Sequence, residues 1–203
     1  MAKLKNKISK RLFDIFFSLL GLILISPFLI IVSIIIKITS EGPVFFLQER
    51  LGQYEKPFFI YKFRTMVINA ESLGKQITVK GDNRITKVGK VLRRYKIDEF
   101  PQLINVLLGE MSFVGPRPEV KKYVDLYTND QKEIFKVKPG ITDYASIEYR
   151  NENDLLSTVE YPEEYYINTI MQDKINLNKK YIEKNNLFID VKIILKTISK
   201  CFR

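Results

Sequence analysis

The chain has 203 residues, enough for one domain with attachments, and a formal net charge of +10 that favours anionic partners such as nucleic acid, lipid head groups or phosphate-bearing substrates. It has no histidine, which excludes Ser-His-Asp and Cys-His chemistry and removes the commonest zinc ligand. Its single cysteine, Cys201, excludes a disulfide within the chain, so any catalysis falls to carboxylates, Lys, Arg, hydroxyls and a hard cation such as Mg²⁺.

The first eleven residues are basic, with Lys3, Lys5, Lys7, Lys10 and Arg11, and suit anionic lipid head groups. Leu12 to Ile38 follows, an apolar run whose only charges are Asp14 and Lys37. It exceeds the roughly 20 apolar residues that span a bilayer. The run is too long for a signal-peptide core and too uniformly apolar for a soluble helix, and no clean cleavage site follows it. Ser26-Pro27 sits near its middle. Proline removes a backbone hydrogen bond, and in lipid the freed carbonyl needs another partner, for which a serine hydroxyl is suited. The residues leave two geometries open: a kinked crossing, or a helix that enters, bends and returns. Basic flanks on both sides weigh towards the second.

Glu41-Gly42-Pro43 marks a turn and divides the chain into 1–40, the basic start and apolar helix, and 41–203, the globular part. Val44–Gln48 and Pro57–Met66 are predicted strands, separated by turn-like residues around Gly52. In the second, Lys62 and Arg64 alternate onto one face, a spacing that suits a polyphosphate and equally a solvated strand. Ile68 to Asp82 has no strong pattern. A basic helix is predicted from about Thr86 towards Tyr95.

Leu92 to Pro118 organises the chain. Arg93, Arg94 and Lys96 precede the adjacent carboxylates Asp98 and Glu99. Two such carboxylates repel unless cations lie nearby or one takes up a proton. Asp98 is placed to N-cap the next helix, with Pro101 in its first turn and Gly109 as its stop. Gly-Pro-Arg-Pro, with Arg117 between two prolines, follows as a rigid segment. Glu119–Tyr127 and Asp130–Lys136 are predicted short helices, Lys138–Thr142 a loop, Tyr144–Tyr149 a strand and Tyr161–Asn185 a long polar helix. In Leu187–Arg203, Lys192, Lys196 and Lys200 recur every four residues and form one stripe on a helix. That helix suits either the membrane interface or the domain core.

Taken together these pieces resemble the bacterial sugar transferases, the monotopic phosphoglycosyl transferases that start glycoconjugate assembly on a polyprenol phosphate. The matching residues run in the family's order over almost the whole chain: the Lys-Arg start with Asp14, Ser26-Pro27, Tyr61-Lys62-Phe63-Arg64-Thr65-Met66, Asp98-Glu99-Phe100-Pro101-Gln102, Asn105-Val106-Leu107, Gly109 to Pro118, and Lys138-Pro139-Gly140-Ile141-Thr142.

The resemblance implies an α+β, mainly helical fold: a small globular catalytic domain, an N-terminal re-entrant helix kinked at Ser26-Pro27 that enters one leaflet only, and interfacial amphipathic helices. It implies attack by Asp98 on the sugar-bearing phosphate of a UDP-sugar, release of UMP, and passage of the phosphosugar to polyprenol phosphate at the cytoplasmic face of the bacterial inner membrane. Asp98 would be the nucleophile, with Glu99 holding Mg²⁺ alongside it. Lys62, Arg64, Arg93, Arg117 and Arg150 would bind substrate. A downstream glycosyltransferase or a second copy of the chain are the protein partners to consider, and no nucleic acid is expected. The chain departs from many members after the Pro-Gly-Ile-Thr loop, where Gly-Trp is replaced by Asp143-Tyr144. That loop is expected to bear on sugar choice. Larger members carry further transmembrane helices ahead of this domain, and none is expected here.

Overall fold

The computed structural model describes residues 2–70 and 82–201, with side chains described for residues 7–70 and 82–200. Lys3, Lys5, Cys201 and the pattern-poor stretch at 71–81 therefore lie outside the described residues, wholly or in their side chains. The described chain is mostly helical α+β, as expected.

Helix α1 runs from Ala2 to Thr39, 38 residues and about 57 Å if straight. It passes through Ser26-Pro27 without interruption. Proline at 27 leaves the Ile23 carbonyl without its usual amide donor, and the Ser26 hydroxyl donates to that carbonyl at 2.9 Å. One side of α1 packs on the globular part at points from Lys10 to Ile36. Near the start, Lys10 donates to Asp190 at 2.5 Å and to the Val114 carbonyl at 2.8 Å. Arg11 donates to the carbonyls of Val106 and Leu107. Asp14, fully buried, accepts from the Ser112 hydroxyl and the Phe113 N–H. Near the far end, Val32 and Ile36 are buried with Phe63 and Leu92. The opposite side presents Leu12, Phe16, Ile23, Leu24, Ile30, Ile34 and Ile38, all exposed. The stretch Lys7–Thr39 is long and apolar enough to cross a membrane, and unlike the core helix of a soluble protein it is largely uncovered.

Strands β1 (Phe45–Leu51) and β2 (Pro57–Phe63) form an antiparallel hairpin with Phe46 opposite Lys62 and Arg50 opposite Phe58. Its even-numbered residues face inward. Helix α2 (Lys87–Arg94) is capped by Thr86, whose hydroxyl accepts from the Gly89 N–H. Gly89 lies against the Thr65 carbonyl so closely that a Cβ would collide with it. Ile97–Glu99 forms a short 3₁₀ turn, then α3 (Gln102–Leu108) ends at Gly109, whose φ of 89° suits glycine. Asp98 is thus not the cap of α3. The separate turn ahead of the helix leaves Pro101 in that position.

Beyond α3 lie β3 (Ser112–Val114), α4 (Lys121–Val124), a 3₁₀ turn at Gln131–Lys136, and β4 (Gly140–Thr142). The predicted loop before Asp143 therefore contains a strand, paired in parallel with β3. The predicted strand at Tyr144–Tyr149 is instead helix α5 (Tyr144–Glu148). Asp143 explains this: its carboxylate accepts from the Ser146 N–H and starts a helix where apolar alternation suggested a strand. Helices α6 (Glu152–Leu156) and α7 (Pro162–Tyr165) follow, and a π turn at Tyr166–Ile170 leads into α8 (Met171–Lys184). The last helix, α9 (Leu187–Cys201), buries Ile193 against Val114 and Ile147 while Phe188, Leu195 and Ile198 stay exposed. It covers the core on one side and offers an apolar surface on the other. Tyr123, Val124, Phe135, Leu156, Ile170 and Ile175 form the main core.

Candidate active site

A cavity of about 730 Å³ opens between these elements. At one end it is lined by Gly21 and Ile25 of the membrane helix α1, with Phe100 and Leu103 at the start of α3. Its middle holds Asp98 and Glu99 with Arg50, Lys62, Arg93, Lys96 and Arg117. Its remaining wall, from the globular part, sets Tyr149, Arg150, Tyr166, Lys174 and Asn178 among aliphatic side chains.

Several local devices place these groups. Asn105, fully buried on α3, accepts from the Tyr61 N–H and donates to the Phe59 carbonyl, which fastens β2 to α3 and sets Lys62 beside Glu99. Lys96 holds a left-handed backbone (φ 57°), a conformation L residues rarely adopt, and thereby turns the chain into Asp98. Arg93, in the last turn of α2, donates from its Nε to the Thr65 hydroxyl at 2.8 Å. The Arg117 backbone N–H is held by the Asp143 carboxylate at 3.1 Å.

The two carboxylates occupy unlike surroundings. Glu99 receives two hydrogen bonds from the Arg117 guanidinium, Nη1 to Oε2 at 3.2 Å and Nη2 to Oε1, and Lys62 lies 3.5 Å from Oε1. Burial works against the Glu99 charge, but Arg117 and then Lys62 outweigh it and hold this carboxyl well below the usual range. Asp98 is buried, and its Oδ1 has no hydrogen-bond partner. Burial and then the Glu99 charge push its pKa up, against the pull of Lys62, Arg93 and Lys96. Burial also brings Lys62 down to about 8 despite Glu99. Carboxylates pushed apart in this way mark sites with divided roles.

The expected substrate residues Lys62, Arg93, Arg117 and Arg150 all line the cavity together with Asp98 and Glu99. Arg64 does not. Its backbone N–H still pairs with the Val44 carbonyl at the end of the hairpin, but the buried Arg64 guanidinium turns to the Ser40 carbonyl and hydroxyl, each at 2.9 Å, and to the Glu41 carbonyl. It ties the end of α1 to the hairpin. Arg64→Ala is therefore expected to cost about 2–4 kcal/mol of stability, measured by thermal or denaturant unfolding. Among molecules still folded it should leave the affinity for a nucleotide unchanged. A weaker nucleotide affinity at undiminished stability would return Arg64 to the substrate group.

Arg50 is a cavity cation that the motif pattern did not single out. It had a signal: β1 alternates through Gln48 and Arg50, and ending the predicted strand at Gln48 hid it. Lys96, one of the three cations noted ahead of the carboxylate pair, lines the cavity as well, whereas Arg94 does not.

A divalent cation such as Mg²⁺ takes one or two carboxylates and completes its shell with phosphate oxygens and water. The unpartnered Asp98 oxygen and neighbouring Glu99 meet that minimum. The described residues hold no cluster of three or more acidic, His or Cys side chains. The donor set thus fits a cation shared with a phosphate-bearing substrate, rather than a cage built by protein alone.

The site is thus a buried carboxylate pair ringed by cations, in a cavity that an exposed apolar helix helps to line. The chain belongs to the bacterial sugar transferase family, whose model it matches over residues 5–203. It is 42% identical over 202 residues to UDP-glucose:undecaprenyl-phosphate glucose-1-phosphate transferase of Klebsiella pneumoniae, covering 97% of this chain and 41% of that protein. It is 39% identical over 194 residues to UDP-N-acetylgalactosamine-undecaprenyl-phosphate N-acetylgalactosaminephosphotransferase of Aeromonas hydrophila, covering 93% and 42%. An uncharacterised sugar transferase of Bacillus subtilis, EpsL, is 37% identical over 193 residues, covering 95% of this chain and 87% of that protein. The chain thus spans less than half the length of the first two relatives and most of the third.

Proposed function

We propose that this protein transfers a phosphosugar from a UDP-sugar to polyprenol phosphate, in two steps, through a covalent intermediate on Asp98. The observation that carries the reading is the contrast within the pair: Glu99 is locked by Arg117 and Lys62, while Asp98 is buried with an uncommitted oxygen. The names of the relatives, which act on UDP-glucose or UDP-N-acetylgalactosamine and undecaprenyl phosphate, supply the substrate classes.

In the first step an Asp98 carboxylate oxygen forms a bond to the sugar-bearing phosphorus. The bond from that phosphorus to the bridging oxygen breaks, and UMP leaves with the electron pair. In the second, a polyprenol phosphate oxygen attacks the same phosphorus and the Asp98 carboxylate departs, giving polyprenol-diphosphate-sugar. A carboxylate is a poor nucleophile towards an anionic phosphate unless that charge is neutralised. Lys62, Arg93 and Arg117 surround Asp98 and Glu99 for this purpose, and Arg50 and Lys96 add to the field. Mg²⁺, held by Glu99 and Asp98 with the diphosphate, would neutralise phosphate oxygens further when bound. Burial excludes water from Asp98 and so protects an acyl phosphate from hydrolysis.

The cavity's shape supports two substrates of opposite character. Gly21, Ile25, Phe100 and Leu103 give it an apolar wall where a prenyl chain would arrive from the bilayer, and the charged groups around Glu99 give it a polar one. The packing of α1 on one globular part supports a re-entrant helix. A crossing helix would carry one end to the far side, whereas here Lys10 and Ile36, near opposite ends, both touch the same domain. A cytoplasmic face follows from the basic flanks.

The test is UMP release by the detergent-solubilised full chain, with a panel of UDP-sugars and Mg²⁺, with and without polyprenol phosphate. A burst stoichiometric with enzyme, in the absence of lipid, is expected. Turnover that requires both substrates together, with no burst, would favour direct transfer in a ternary complex. The pH profile is a second expected result. Protonated Lys62 is needed opposite the diphosphate, so kcat/KM should fall above pH about 8. Lys62→Arg should carry that limb to higher pH, and an unmoved limb would rule out Lys62 as its source.

A further inference from the structure

The cavity continues past Arg117 into a compartment walled by α5, α6 and α8 that the phosphoryl chemistry leaves unused. Asp143 joins the two regions. One of its carboxylate oxygens accepts the Arg117 N–H, and the other caps α5 by accepting the Ser146 N–H at 2.6 Å. Ser146 lines the cavity, and its Oγ is buried with no partner. Asn178 of α8 also lines it, is only 5% exposed, and has an unpartnered Oδ1. Buried polar groups are nearly always bonded, so two such orphans on facing helices are groups awaiting a ligand. The same wall holds Lys174, paired with Glu152 and lying 5.1 Å from the Tyr166 ring centroid and 5.9 Å from that of Tyr149.

The chemistry of this wall discriminates among the parts of a nucleotide sugar. The diphosphate is matched by the cations around Glu99, whereas here the Lys174 charge is already taken up by Glu152. Uracil can pair with Asn178, its N–H on Oδ1, but it has no second N–H donor for the rest of this wall. A hexose offers several hydroxyl donors in fixed directions and an apolar ring face that suits tyrosine. We propose that this compartment receives the hexose of the UDP-sugar, and that Asn178 and Ser146 select among sugars through hydroxyl or acetamido substituents. The inference rests on the reading under Proposed function and deepens it.

The experiment uses the full chain in detergent. Asn178→Ala and Ser146→Ala are compared with wild type for UMP release from UDP-glucose, UDP-N-acetylgalactosamine and further UDP-sugars, and for binding of UDP by calorimetry. The expected result is a change of about tenfold or more in the ratio of kcat/KM between sugars, with UDP affinity held within about twofold. Ser146 is only half-buried, so its variant serves if Asn178→Ala fails to fold. Unchanged sugar ratios in a folded variant overturn the inference. So does an equal loss for every sugar together with weaker UDP binding, which would make the compartment the nucleoside's. If wild-type protein releases UMP from no sugar, the transferase reading itself falls and takes the inference with it.

Discussion

Asp98→Asn is expected to lower UMP release by at least about 10³-fold, as loss of a covalent nucleophile does, while leaving the melting temperature unchanged or raising it. The two halves have one cause. Burial and the Glu99 charge raise the Asp98 pKa, so the folded state disfavours the ionised form relative to the unfolded chain. A carboxyl with a raised pKa costs stability at every pH above its unfolded value. Asparagine keeps the shape, removes the charge and relieves that cost, but has no oxygen able to form an acyl phosphate. Active groups held at a cost to folding show this trade. The measurements are a UMP assay and a thermal melt on the same preparations, with mass spectrometry for the phosphosugar adduct in wild type. Retention of more than a few per cent of activity would withdraw Asp98 as nucleophile. A melting temperature several degrees lower would mean that the cations around Asp98, rather than burial, dominate its surroundings.

Much of this site was legible before the fold. Asp98 and Glu99 stood out because adjacent carboxylates with cations upstream need an explanation, and Arg117 because two prolines fix its backbone. The apolar helix was legible from length alone, and so was the need for Ser26 to serve the carbonyl that Pro27 frees. What the residues did not convey was partnership. Nothing in the order of residues says that Arg117 is bonded to Glu99, or that Asp143 steadies Arg117 from a helix cap. For Arg64, alternation along β2 could not announce the Ser40 and Glu41 carbonyls that its guanidinium meets at the end of α1. Tyr144–Glu148 misled because apolar alternation over so few residues fits either state, and a buried capping aspartate decides it. Asn178 lay unremarked in a polar helix, since burial of one amide comes from packing against α5 and not from periodicity.

Glu99→Gln is expected to lower UMP release about 10²- to 10³-fold and stability by about 1–2 kcal/mol, roughly 2–8 °C in a chain of this size. The stability loss is kept modest because Arg117 is 37% exposed and water screens part of the pair. Without the carboxylate, Lys62 and Arg117 face each other and Arg50 with no counter-charge between them. Burial already brings Lys62 down to about 8, with Glu99 the main force resisting it, so in Glu99→Gln the alkaline limb of the pH profile should move to lower pH. The stability difference has its own pH signature. Glu99 is held below the ordinary carboxylate range, so its contribution is complete at neutral pH and fades as the pH falls through that range and below. The melting temperatures of wild type and variant should therefore converge in acid. Raising Mg²⁺ separates the two roles of this residue. If Glu99 acts mainly by helping to hold the cation, higher Mg²⁺ restores a large share of the rate. If it acts by fixing Arg117 and Lys62 around the diphosphate, added Mg²⁺ restores little and the alkaline limb stays shifted. The two hydrogen bonds from Arg117 to Glu99 favour the second result, and full rescue by Mg²⁺ with an unshifted limb would overturn it.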